Sequence, residues 1–233
     1  MSTSSHTLPQ SPRGPDVLGE LLHSLSQPLT GLRCSLELSL QLPLDCSIEQ
    51  IAEQQQASVS VALQQTERVI GMIQLMREYL DAEQPAPESF SSALAPATRS
   101  VIEELSSIAT VRGVRLRLVG TCTATLPVPE SRLWLALQYL IVTMIEAQPA
   151  GGKVMLLLGE GPAGAVLRIE GERDFQQQKP SATSPQTTLR RARIAIASRV
   201  LESAGASLVF GGGDVDPTGF VLRIPRRVAS PAR

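Results

Sequence analysis

The sequence is poor in aromatic residues, in histidine and in cysteine. Only 3% of its 233 residues are Phe, Trp or Tyr, although 42% are hydrophobic. The core must therefore be built from Leu, Ile, Val and Ala, which favours helix packing over an aromatic-rich β-sandwich. Two histidines, His6 and His23, and three cysteines, Cys34, Cys46 and Cys122, show no metal-ligand spacing and no even set for a disulfide framework. The thiols are expected to be reduced and structural, and no metal site is expected. A surplus of one charge is missing as well, since 21 Lys and Arg face 22 Asp and Glu. That balance provides no field to draw the chain onto nucleic acid or an anionic membrane. No run is long and apolar enough to span a bilayer, and residues 1–15 form a Ser/Pro-rich arm without the apolar stretch of a signal peptide. The chain is expected to be cytoplasmic, with a disordered arm over 1–15 and no room for a sensor domain before the first helix. Input would then come from a partner or a ligand.

What is present is helical periodicity followed by a mixed pattern. Leu22, Leu25, Leu29, Leu32 and Leu36 alternate steps of three and four, the spacing of a bundle seam, and predict a helix over 16–42. Pro43 and Asp45 interrupt it. Ser47 is placed to cap a second helix that carries Val59, Leu63, Ile70, Ile73 and Leu80 on one face. A hairpin over 16–84 with an apolar seam on both arms predicts a homodimeric four-helix bundle; packing of the seam on the second half of the same chain is the alternative.

Gln84-Pro-Ala-Pro-Glu-Ser reads as a linker over 85–90, and residues 91–228 as a second domain. Its predicted elements are helices over 91–111, 130–147 and 188–204 and strands over 114–119, 123–126, 152–159, 164–170, 206–210 and 219–224. The fold class is α+β, a mixed sheet with helices on one face. The polar stretch from Gln176 to Thr188 reads as a mobile loop, and Gly211-Gly212-Gly213-Asp214 as a hairpin turn, because no helix follows to make it a phosphate cradle.

Catalytic signatures are few. No nucleophile elbow, Walker loop or His pair occurs, so with His6 in the arm any histidine chemistry falls to His23. His23 follows Leu22 and so sits about 100° around from it, at the edge of the stripe. An imidazole is largely neutral at cytoplasmic pH and has a nitrogen lone pair for attack on phosphorus. A polar residue on a bundle flank is the alternative reading. Five residues later Pro28 interrupts an otherwise strong helix, removing one hydrogen bond and favouring a kink.

The segment His23-Ser24-Leu25-Ser26-Gln27-Pro28-Leu29-Thr30 resembles the H-box of two-component histidine kinases, and the resemblance runs over residues 16–226. It implies a dimerisation and phosphoacceptor hairpin followed by an ATP-binding α/β sandwich, with His23 as the phosphoacceptor and Gln27 and Pro28 shaping an exposed turn beside it. Arg112-Gly113-Val114-Arg115-Leu116 is similar to the start of that second domain, residues 129–141 to the N-box helix, and Ala195 to Gly205 to the helix behind the last glycine box.

The nucleotide-contacting positions depart from the pattern. The N-box asparagine falls on Thr143 and the basic residue one turn later on Glu146. The adenine-reading Asp-x-Gly-x-Gly box falls on Gly171-Glu172-Arg173-Asp174-Phe175, and the last box's glycines fall on Arg191 and Arg193, whose side chains would crowd the phosphates. Ser24 stands where the family usually has an acidic residue, and a hydroxyl is a poor base. Loss of magnesium and phosphate contacts removes most of the charge stabilisation for transfer from ATP. Arg190, Arg191 and Arg193 are read as a solvated face or a protein-docking patch.

The resemblance thus implies a histidine phosphotransferase or pseudokinase, exchanging phosphate with a response-regulator receiver domain and fed by an upstream kinase. No cofactor is expected, and ATP with magnesium only if the degenerate domain still binds nucleotide. An ATP-dependent sensor histidine kinase and a non-catalytic dimeric scaffold are the alternatives.

Overall fold

The structure, a computed structural model, describes residues 14–41, 47–84, 90–172, 185–213 and 216–226. His6, Pro43, Asp45, Cys46, the 85–89 part of the linker, Arg173 to Phe175, residues 176–184 of the polar stretch and Asp214 lie outside the described residues. Two compact units emerge, Met1–Glu78 and Tyr79–Arg233.

The first unit is built from helix α1 (Gly14–Leu40) and most of helix α2 (Ile48–Asp81). Ser47 opens α2 with a reciprocal capping box: its backbone N–H donates to Gln50 Oε1 at 3.1 Å, and the Gln50 N–H donates to Ser47 Oγ at 3.3 Å. Each helix carries two stripes. Val17, Leu21, Pro28 and Ser35 of α1 are buried, as are Ala62, Met72 and Leu75 of α2, and Gly31 of α1 lies against the Gln65 side chain of α2. The leucine seam expected from the periodicity lies outside these inner stripes, with Leu25 and Leu32 half-buried. Leu22, Leu29 and Leu36 are 56%, 43% and 50% exposed, and Val59, Leu63, Ile70 and Ile73 are also exposed.

The second unit begins in the last turn of α2. It continues with strand β1 (Ser92–Ala93), helix α3 (Leu94–Val111), strands β2 (Arg115–Gly120) and β3 (Thr125–Leu126), and helix α4 (Glu130–Ala147). Strands β4 (Lys153–Gly161) and β5 (Gly164–Gly171), helix α5 (Pro185–Ser203), and strands β6 (Ser207–Gly213) and β7 (Asp216–Pro225) complete it. β1 and β3 form a small antiparallel pair. The main sheet has the order β2-β4-β5-β7-β6, with β2 parallel to β4 and every other neighbour antiparallel. Alternation sorts the sheet faces. Val154, Leu156, Leu167, Ile169, Phe220 and Leu222 are buried on one face together with Leu133, Leu137, Leu140 and Met144 of α4. The helices cover only this face.

Two glycines set the helix-to-strand turns. Gly113 (φ 69°) ends α3 with bonds Gly113 N–H to Thr110 C=O and Val114 N–H to Ala109 C=O. Gly205 (φ 78°) ends α5 with the same pair, to Glu202 and Leu201. Both are Schellman caps, which require a left-handed residue and turn the chain directly into β2 and β6.

Two expectations need correction. Gly211 to Gly213 belong to strand β6, which pairs with β7 as far as Gly213 opposite Asp216 around a bulge at Gly211 and Gly212. Glycine here spares the strand a side chain where β7 crowds it, since a Cβ on Gly211 would strike the Thr218 hydroxyl. The polar stretch also ends earlier than expected, because α5 starts at Pro185 and includes Thr187 and Thr188; proline is tolerated in a first turn, where its missing N–H has no helical partner.

Candidate functional site

The sequence-marked residues fall in two groups, one in each unit. In the first, Pro28 sits inside the 27-residue α1. Without an N–H it leaves the Ser24 carbonyl without its helical partner, and two residues on the Thr30 hydroxyl donates to the Ser26 carbonyl at 2.9 Å, a bond that itself tends to bend helices. His23 lies one residue before Ser24 and is exposed; Ser24 is half-buried and Gln27 is exposed. Pro28 is buried, so it does not form part of an exposed turn with Gln27.

In the second unit Thr143 and Glu146 are one turn apart on α4. Thr143 is fully buried, and its hydroxyl oxygen has no hydrogen-bond partner. Glu146 accepts a bond from Arg193 Nη1 of α5 at 2.9 Å, in an ion pair whose side chains are 26% and 24% exposed. The arginine expected on a solvated face is therefore three-quarters buried against a carboxylate. The reason is packing: α4 and α5 lie side by side, and a desolvated guanidinium needs an anionic partner. Arg190 and Arg191 are half-buried as well, so the three arginines do not form a fully solvated face.

Gly171 ends β5 beside the end of α4. A Cβ there would collide with the Gln148 side-chain amide and press on Met144. Gln148 was not marked by any motif, yet its amide fills this space, and its buried Oε1 has no partner. The structure thus brings Thr143, Glu146, Arg193 and, next to Gln148, Gly171 to one end of α4.

Two further local features have defined electrostatics. Arg199 of α5 stacks over the Tyr79 ring at 4.0 Å and pairs with Glu83; burial raises the Tyr79 pKa, partly opposed by Arg199. Glu160 accepts bonds from the Thr123 N–H at 3.1 Å and hydroxyl at 3.0 Å, which hold its carboxyl below the usual range. Cys122 is buried and its thiol is pushed up by that burial, whereas Cys34 is exposed. Among the described residues no group of three or more His, Cys, Asp or Glu could hold a metal ion, and no helix is long and apolar enough to cross a membrane.

No family model matches the sequence, and no curated protein matches it. Solved structures do. The chain is similar to the Acinetobacter baumannii histidine kinase AdeS, with 15% identity and a TM-score of 0.60 over 87% of this chain and 97% of that one. It is similar also to full-length ShkA in complex with AMPPNP, with 18% identity and a TM-score of 0.53 over 94% of this chain and 48% of that one. The chain has the fold of a histidine-kinase core, a helical hairpin followed by an α/β sandwich of the ATPase type.

Proposed function

We propose that this histidine-kinase-like chain is a homodimeric histidine phosphotransferase, a pseudokinase of a two-component phosphorelay. His23 carries the phosphoryl group, exchanging it with the aspartate of a response-regulator receiver, and an upstream kinase rather than ATP bound to this chain supplies it. The observation that carries the reading is the Glu146–Arg193 ion pair at 2.9 Å. It ties together two positions, one on the N-box helix and one at the last glycine box, where the resemblance to histidine kinases leads one to expect nucleotide contacts.

The residues at these positions do not fit a magnesium nucleotide. Thr143 is fully buried and supplies one neutral hydroxyl. Arg193 is committed to Glu146, and the carboxylate would repel phosphate. Gln148 fills the space beside Gly171. Chemistry on His23 needs none of them. An exposed imidazole nitrogen can attack the phosphorus of an aspartyl phosphate; the N–P bond forms, the P–O bond breaks and the aspartate leaves as carboxylate, with the receiver's own metal site neutralising the charge.

Dimerisation is supported by the outward stripe. Leu22, Leu29 and Leu36 on α1 and Val59, Leu63, Ile70 and Ile73 on α2 stay exposed. A second hairpin is the economical cover for two such stripes at heptad spacing.

Incubation with a receiver phosphorylated on its aspartate tests the reading. Acid-labile label is expected on the chain and is expected to vanish in His23→Ala. Absence of label from the wild-type chain would favour the scaffold alternative, and label surviving in His23→Ala would remove His23 from the chemistry.

A further inference from the structure

Among the described residues the main sheet has one face under helices and one face open. The strand register reads out the open face row by row. Arg117 of β2 lies beside Met155 of β4 and Glu170 of β5. In the next row Val119, Leu157, Arg168, Val221 and Val209 cross all five strands. A third row places Val166 beside Arg223 and Ser207, and Arg115 with Lys153 flanks the first.

Two properties of this face stand out against the rest of the molecule. The chain as a whole has a net charge of −1. The open face carries five cations, Arg115, Arg117, Lys153, Arg168 and Arg223, against the carboxylates of Glu170 and Glu172, of which Glu170 is paired with Arg168 at 3.1 Å. On either side of Arg168 the middle row carries the aliphatic residues Val119, Leu157, Val221 and Val209, of which Val119 is 40% and Val209 39% exposed. At the end marked by Val166, Ser207 and Arg223 the sheet opens into a cavity of about 430 Å³.

We propose that the open sheet face is a docking surface for an acidic protein segment that also presents aliphatic side chains. The cations match carboxylates, the aliphatic residues of the middle row match aliphatic groups, and the cavity gives one anchor a concave seat. Among the described residues the face presents no aromatic side chain. A membrane-surface site would draw on Trp or Phe at the lipid boundary, and a single-stranded nucleic-acid site on aromatic stacking platforms. The proposal is independent of His23.

The full chain is titrated into a labelled peptide rich in Glu and Leu, with a counterpart in which Lys replaces Glu. Saturable binding that weakens with salt is expected for the acidic peptide alone. A chain carrying Arg115→Glu and Arg117→Glu, and separately one carrying Arg223→Glu, should each lose about tenfold or more in affinity. Their unfolding midpoints, compared with the wild type, keep loss of folding distinct from loss of contact. Several outcomes overturn the proposal: no saturable binding, binding unchanged by charge reversal, equal binding of the Lys peptide, or reversal-sensitive binding tighter to phosphatidylserine vesicles or a single-stranded oligonucleotide than to the acidic peptide.

Discussion

Replacing Arg193 by Ala removes one partner of the Glu146–Arg193 pair and leaves a carboxylate that is only 26% exposed. A charge pair at contact distance is worth about 4 kcal/mol at an effective dielectric of 20. That figure is an upper bound, because a quarter of each side chain still meets water. Exposed pairs are worth about 0–1 kcal/mol, and removing one partner of a fully buried pair costs about 3–5 kcal/mol. The present geometry falls between, at about 1–2 kcal/mol for either single variant. For a unit of this size each kcal/mol moves the unfolding midpoint by about 2–4 °C, so Arg193→Ala and Glu146→Ala should each lower it by about 2–8 °C. The double variant leaves no lone charge and should lose less than the sum of the singles. Thermal and urea unfolding of the four chains measure the coupling. Additivity within about 0.5 kcal/mol would refute the reasoning, since independent residues behave in that way.

Leu29→Asp with Leu36→Asp places charge on the outward stripe of α1, where both leucines are about half exposed; sedimentation should show monomer with helical content retained. Ser47→Ala removes one half of the capping box and should cost about 1 kcal/mol, read by urea unfolding. Glu160 has a folded pKa below its ordinary value, so its stabilisation is present at neutral pH and is lost as pH falls through the folded value. The midpoint difference between wild type and Glu160→Gln should therefore shrink toward acid pH; a difference that grows there would contradict the Thr123 clasp.

Much of this was legible because local signals agreed with the fold. The Ser47-x-x-Gln50 pair, the helix over 130–147 and the glycines that end α3 and α5 each specify geometry within a few residues of themselves. The leucine seam was legible as a stripe, whereas the inner stripe of the hairpin was not. A helix in a hairpin that also presents a second face carries two overlapping periodicities, and the inner one here includes Pro28 and Ser35, which no apolar count would select. The Glu146–Arg193 contact was illegible for a different reason. Its residues are 47 positions apart, so only the packing of α4 on α5 brings them together, and charged residues read from sequence alone default to the solvent. Gln148 left no signal at all, because its role arises from the missing side chain of Gly171.

In the proposed relay phosphate reaches His23 from another protein and not from ATP. Equal portions of the chain offered labelled, phosphorylated receiver or labelled ATP with magnesium, with His23→Ala as control, test it most directly. Histidine-bound label from the receiver and none from ATP is the expected result. Label from ATP alone, dependent on His23, would contradict it and make the chain an autokinase despite the Glu146–Arg193 pair.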